Sequence, residues 1–217
     1  MPDESIPLGE HLTLREKATQ FIKGELLKGE VRAGTILSAN SLARDLGISN
    51  SPMREALMDL VAQGLLEVVR NRGFRVRTMT RHDLDEVREM RAILEVAAIQ
   101  KLAERGLSAS ERRRAEQLYA RSKSIAEFDD RFAILDADHE FHMFLVSLLG
   151  NRRLAECISN LRDQTRICGA FDSTPIDDLK ACAEEHGAML ESVVLKDHVR
   201  AVALMTQHLE YSELSAK

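Results

Sequence analysis

Apolar residues recur at helical spacing along most of this chain, and the pattern switches to short strand-like runs only once, between Ser38 and Val76. Residues 42–46 read as a short helix closed by Gly47, which tolerates the left-handed conformation at a helix end. Ile48 follows as a buried plug. Ser49 or Ser51 can cap the next helix, with Pro52 tolerated in its first turn. Met53, Leu57, Leu60 and Val61 give that helix an apolar face until Gly64 ends it. Residues 65–69 and 74–78 have strand character, and Asn71, Arg72 and Gly73 form the turn between them. Upstream, residues 11–27 place Leu14, Ala18, Phe21, Ile22 and Leu26 on one helical face, the third helix of the same small core. Residues 31–37 make a turn into a short extended segment, and residues 1–9 are a loose polar arm. A hinge, a capped second helix with polar residues at its start, and a basic hairpin make a winged helix–turn–helix over residues 1–78.

Beyond a linker at residues 78–83, where Thr80 or Asp83 can cap, the period is helical to the end. One helix spans 84–105 and stops at Gly106. Ser108 and Glu111 make a capping box for a second, to about residue 128. A third covers 131–149 and stops at Gly150, a fourth starts from Asn151 and runs to about 170, and a loop occupies 171–175. The fifth and sixth take 176–195 and 196–214. Six helices with short connections predict an all-α antiparallel bundle over residues 79–217, so the chain is mainly α and built in two domains.

Composition adds charge segregation to this picture. The net charge of −5 looks wrong for a nucleic-acid binder until the chain is divided: residues 1–78 hold 11 Lys+Arg and 10 Asp+Glu, and residues 79–217 hold 19 and 25. Arg70, Arg72, Arg75 and Arg77 crowd the hairpin with no acid among them, so local positive charge can meet phosphates while the acidic remainder stays clear. Ser49, Asn50, Ser51 and Arg54, at the start of the second helix, are placed to reach base edges or phosphates. Three cysteines, odd in number and without a CxxC pair, read as buried thiols of a reducing cytoplasm. No apolar run approaches a membrane span and no signal-peptide pattern is present, so a cytoplasmic protein with no membrane partner is expected.

Within the bundle, Asp138 and His142 are four residues apart and point off one helical face, beside Leu135, Phe141 and Leu145. His186 and His208 each sit in an apolar helical run. Three imidazoles and a carboxylate on three helices suit a divalent transition metal, although each His taken singly is more often a hydrogen-bonded structural residue than a ligand. Arg91, Arg162 and Arg166 are candidates for holding an organic anion, because a guanidinium meets a carboxylate in bidentate fashion; a surface ion pair with a neighbouring Glu is the other reading of Arg91.

The run GISNSPMREALMDLVAQGLLEVVRNRGFRV resembles the DNA-binding module of GntR-type bacterial transcription regulators. Asp138 with His142, the pair Glu185–His186 and the step to His208 resemble the metal-binding FCD domain of the FadR subfamily. The resemblance implies that Asp138, His142, His186 and His208 hold a divalent ion, of which zinc, nickel or manganese are the expected kinds. It further implies a small carboxylate effector in the bundle, with Arg91 matching the family's R-x2-LE motif, and a homodimer on double-stranded operator DNA. DNA contacts then fall to Asn40, Ser49, Asn50, Ser51, Arg54, Arg70, Asn71, Arg72 and Gly73. Two positions depart from the family: Asn50 stands where Arg is common, and Asn40 where a charged residue is usual. Asn reads adenine where Arg favours guanine, so an altered half-site is expected. A ligand-responsive regulator, most readily a repressor, is the reading that uses all of these features. No GxSxG elbow or phosphate-binding glycine loop supports an enzyme. A metal-dependent enzyme with a vestigial DNA-binding module, or a DNA-binding protein with a purely structural metal, are the alternatives. Whether ligand releases or promotes DNA binding is left open.

Overall fold

A computed structural model describes residues 12–169, 171 and 174–210. The arm at 1–9, His11, residue 170 and positions 211–214 of the expected last helix lie outside the described residues. Chain contacts divide the protein into two compact units, up to Arg77 and from Thr78 on.

The first unit is a three-helix core with a three-stranded sheet. Helix α1 (Leu14–Leu27) starts at a capping box in which Thr13 and Glu16 bond each other's backbone N–H. It buries Ala18, Ile22 and Leu26, whereas Leu14 and Phe21, expected on that face, stay 53% and 47% exposed. The ridge at i, i+4 and i+8 faces α3, and the other two residues flank it. Strand β1 (Ile36–Leu37) leads into α2 (Ala39–Asp45), which begins three residues earlier than its apolar pattern indicated because Ser38 caps it through the Ser41 N–H. Asn40 therefore lies inside the helix. Gly47, at φ 64°, then turns the chain. Helix α3 (Asn50–Ala62) has Ser49 at its N-cap and buries Met53, Leu57 and Leu60 completely, while Ile48 and Val61 are only half-buried.

Strands β2 (Leu66–Val69) and β3 (Gly73–Val76) pair antiparallel, Val69 opposite Gly73 and Leu66 opposite Val76. β3 also pairs with β1, so it is the middle strand, in the order β1-β3-β2. Gly73 thus begins a strand rather than completing the turn, and Asn71 supplies the left-handed residue at φ 61°. Gly73 itself has φ 116°, and a Cβ there would land on the Leu37 carbonyl.

The second unit consists, among the described residues, of six helices: α4 (Arg81–Arg105), α5 (Ala109–Ala126), α6 (Arg131–Ser147), α7 (Arg152–Ile167), α8 (Ile176–Val194) and α9 (His198–Glu210). The first four start at side-chain caps: Thr80 with Asp83, Ser108 with Glu111, Asp130 on Ala133 and Asn151 on Leu154. Ile99, Leu102, Phe141, Met189, Leu190 and Val193 form the main core, where α4, α5, α6, α8 and α9 meet. Of the cysteines expected to be buried thiols, only Cys168 is buried; Cys157 is exposed and Cys182 intermediate. Cys157 follows Glu156 on the polar side of α7, whose buried face runs through Ile158, Leu161 and Arg162. No described helix is long and apolar enough to cross a membrane.

Candidate functional site

The exposed end of α3 and the hairpin tip carry the polar groups expected at the DNA. Ser49, Asn50, Ser51 and Arg54 are exposed, as are Arg70, Asn71 and Arg72. Asn50 does not stand alone: its Nδ2 donates to Oδ1 of Asn40, joining the two helices through the two residues that depart from the family pattern. Ser51 Oγ donates to Glu55, one turn on. The Arg54 guanidinium lies 6.0 Å from the centroid of the Phe74 ring, linking helix to wing. Arg75, counted in the acid-free cluster, pairs across the strands with Glu67 at 3.0 Å, a contact hidden from sequence because it depends on register. Arg70 and Arg72 make no ion pair with a described residue, which leaves their charge available at the tip.

In the bundle, four side chains from three helices converge. Asp138 and His142 come from the buried face of α6, His186 from α8 and His208 from α9. Nε2 of His142 lies 3.1 Å from Nε2 of His186 and 3.0 Å from Nε2 of His208. Oδ1 of Asp138 lies 3.2 Å from the His186 nitrogen, 3.5 Å from that of His142 and 3.6 Å from that of His208. All four donor atoms fall within 4.8 Å of one another, and the imidazoles are buried. Donors about 2.0–2.2 Å from a shared ion stand roughly 3 to 3.5 Å apart, so the spacing fits one divalent cation.

The protonation states of Asp138, His142 and His186 fit as well, while His208 leans the other way. Burial works against charge on Asp138, yet Arg162 and His142 hold its carboxyl well below the usual range. Burial, reinforced by Arg162, pushes His142 well down, and burial lowers His186 also. His208 is raised: burial opposes its proton, but bonds to Asp138 and Glu185 outweigh that. Glu185 Oε2 sits 2.8 Å from His208 Nδ1, an arrangement that keeps a proton on Nδ1 and aims Nε2 at the group of four donor atoms. Phe141 stacks on His186 with centroids 4.4 Å apart and fixes that ring's plane.

Behind these residues lies a buried ion network. Arg162 donates to both Glu95 and Asp138, and Arg91 Nε donates to Glu95 at 2.7 Å. Burial works against the Glu95 charge, but Arg162 and Arg91 hold its carboxyl down to about 2. Glu95 is 1% exposed and is the Glu of the R-x2-LE motif, where the sequence offers it only as a surface partner of Arg91. Its signal was the i,i+4 spacing to Arg91, which a surface helix would show equally. Arg91 and Arg162 also line a cavity of about 520 Å³, open mouth included, beside Asp138 and His208. Arg166 does not line it: that guanidinium lies 3.5 Å from Asp136 on α6.

Comparison with known proteins places both units. Residues 14–76 match the bacterial regulatory proteins of the gntR family and residues 86–211 match the FCD domain. The chain belongs to the GntR family of transcription regulators, in the arrangement of a winged helix–turn–helix with an FCD domain. It is 29% identical over 199 residues to the "Probable D-xylose utilization operon transcriptional repressor" of Paenarthrobacter nicotinovorans, covering 91% of this chain and 86% of that one. It is 25% identical to the transcriptional repressor GlaR of Escherichia coli, over 88% of this chain and 90% of GlaR. The solved structure of E. coli McbR/YncC has the same fold, with a TM-score of 0.82 at 23% identity over 92% of this chain and 94% of that one.

Proposed function

We propose that the protein is a ligand-responsive repressor that binds operator DNA as a homodimer and whose bundle holds a divalent metal and a small organic acid. The observation that carries this reading is the convergence of Asp138, His142, His186 and His208, of which Asp138 and His208 line a cavity together with Arg91 and Arg162. Within the set Arg91, Arg162, Glu95 and Asp138, two positive and two negative charges balance. A divalent cation on the three imidazoles and Asp138 adds an excess of positive charge that draws an anion into the cavity, where the ion would supply an electrophilic anchor for a carboxylate. Arg91 and Arg162 then orient that carboxylate. Arg166, paired with Asp136 and off the cavity, has no part in this.

On the DNA side, Arg70 and Arg72 bind phosphates at the wing, Asn71 sets the tip, and Gly73 lets the hairpin lie close to Leu37. Ser49, Asn50, Ser51 and Arg54 meet the duplex from α3, with Asn40 behind Asn50. One winged helix offers too little interface for tight specific binding, so two copies on paired half-sites are required. Met90 and Ile93, 48% and 64% exposed on α4, provide apolar area for self-association. Ligand changes operator affinity by its differential affinity for the two states of the bundle.

The test combines elemental analysis with a DNA-binding selection. One ion per chain in the purified protein, lost in His186→Ala, together with capture of specific fragments from its own genome and a shift of that binding by a small carboxylate, is the expected result. Metal-free protein, or protein indifferent to every fragment with and without acids, would overturn it.

A further inference from the structure

The cavity that meets the candidate metal centre has two unlike ends. At one end stand Asp138, His208, Arg91 and Arg162. At the other stand Thr174, in the loop before α8, and Asp178, in the first turn of α8. Thr174 is 4% exposed, yet its Oγ1 has no hydrogen-bond partner among the described residues. A buried hydroxyl left unpaired bears its full desolvation cost, so its persistence in a cavity wall points to a partner that arrives with the ligand. Asp178 makes no ion pair with a described residue, unlike Asp138 and Glu95 across the cavity. The rest of the lining is Ile134, Leu135, Phe171, Leu179 and Leu209, which offer no side-chain hydrogen bonds, and the weakly polar thiol of Cys182.

We infer that the effector is a zwitterion: a carboxylate whose far end carries an ammonium group, joined by a short methylene chain. The inference rests on the proposed seating of a carboxylate at the arginine end and adds what the opposite end must receive. An ammonium brings three donors and one positive charge, enough to answer both Asp178 and the Thr174 oxygen. A plain acid leaves both unanswered. A dicarboxylate sets a second negative charge against Asp178, and like charges this close repel. Length follows from α8, where Asp178 precedes His186 by eight residues, roughly 12 Å at 1.5 Å per residue. Side-chain reach, the ion–oxygen bond and the hydrogen bond all shorten that span, so a linear chain of a few carbons fits it.

The experiment titrates the metal-loaded full chain by calorimetry with linear acids of three to seven carbons. Each length is supplied as the ω-amino acid, the unsubstituted acid and the dicarboxylate. The expected order at the best length is amino acid tighter than plain acid by tenfold or more, with the dicarboxylate weakest. In Asp178→Asn the amino acid loses its advantage and the dicarboxylate gains. Thr174→Val lowers affinity for the amino acid alone. Plain acids that bind as tightly as their amino partners, weakened by Arg91→Ala but not by Asp178→Asn, overturn this inference and leave the carboxylate seat standing. If no acid of any kind binds, both fall together.

Discussion

Replacing Arg162 by Met tests the ion network and the metal reading at once. Met matches the stem of the side chain and removes its charge from a site that is 3% exposed. Glu95 would keep Arg91 at 2.7 Å, whereas Asp138 would keep only imidazoles, of which His142 and His186 are lowered by burial. Breaking a buried ion pair by removing one partner costs about 3–5 kcal/mol, because the charge left behind stays out of water. With two carboxylates affected and one of them still paired, the metal-free protein should lose about 4 kcal/mol. At a urea slope of about 2 kcal/mol per molar, the unfolding midpoint falls by about 2 M. A divalent ion on Asp138 replaces the missing charge there, so the same substitution in metal-loaded protein should cost only about half as much. Urea unfolding followed by helix signal, in chelator-treated and metal-loaded samples of wild type and Arg162→Met, measures both values. Equal losses in the two samples would refute the idea that an ion sits on Asp138. A loss below about 1 kcal/mol without metal would refute the network itself.

Three further outcomes follow from other parts of the molecule. Gly73→Ala places a Cβ on the Leu37 carbonyl at φ 116° and should cost about 3 kcal/mol in thermal unfolding while weakening DNA binding, since the wing must shift. Asn50→Arg should change the base preferred at one half-site position by about 1–3 kcal/mol of discrimination, and Asn40→Ala should blur the same position, read by binding-site selection. Blurring at a different position would mean that Asn40 reads DNA independently. Glu185→Ala frees Nδ1 of His208 and should weaken metal binding about 10–100-fold in a competitive chelator titration, with the fold intact by circular dichroism.

The two-part architecture was legible because its signals are local. Thr80 with Asp83, Ser108 with Glu111, and Asn151 mark helix starts within a few residues of the chain, and the structure uses each of them. Errors arose where a local signal was weighed against a stronger one. The apolar positions from Leu42 on drew attention from Ser38, whose cap starts α2 at Ala39. Pairing of β1 with β3 depends on residues almost forty positions apart, such as Ile36 and Arg75, and nothing near either residue announces it. The same limit hid the Glu67–Arg75 pair and the placement of Glu95 between two arginines. Asp138 and His142 could be put on one face by spacing alone, whereas their meeting with His186 and His208 is a property of how α6, α8 and α9 pack. Arg162 and Arg166, one turn apart, share a target by spacing alone, whereas the two guanidinium groups pair with acids on different faces of α6, Asp138 and Asp136.

The hairpin is not a free flap. Its inner strand is clamped between β1 and β2, Phe74 from that strand is buried, and Arg54 of α3 rests over the same ring. The two prongs proposed to meet the duplex are thereby set at a fixed separation, like the jaws of a gauge rather than of a pair of pliers. Any adjustment between protein and operator falls to the nucleic acid, so sequences whose grooves adopt that width cheaply gain an advantage even at base pairs no side chain touches.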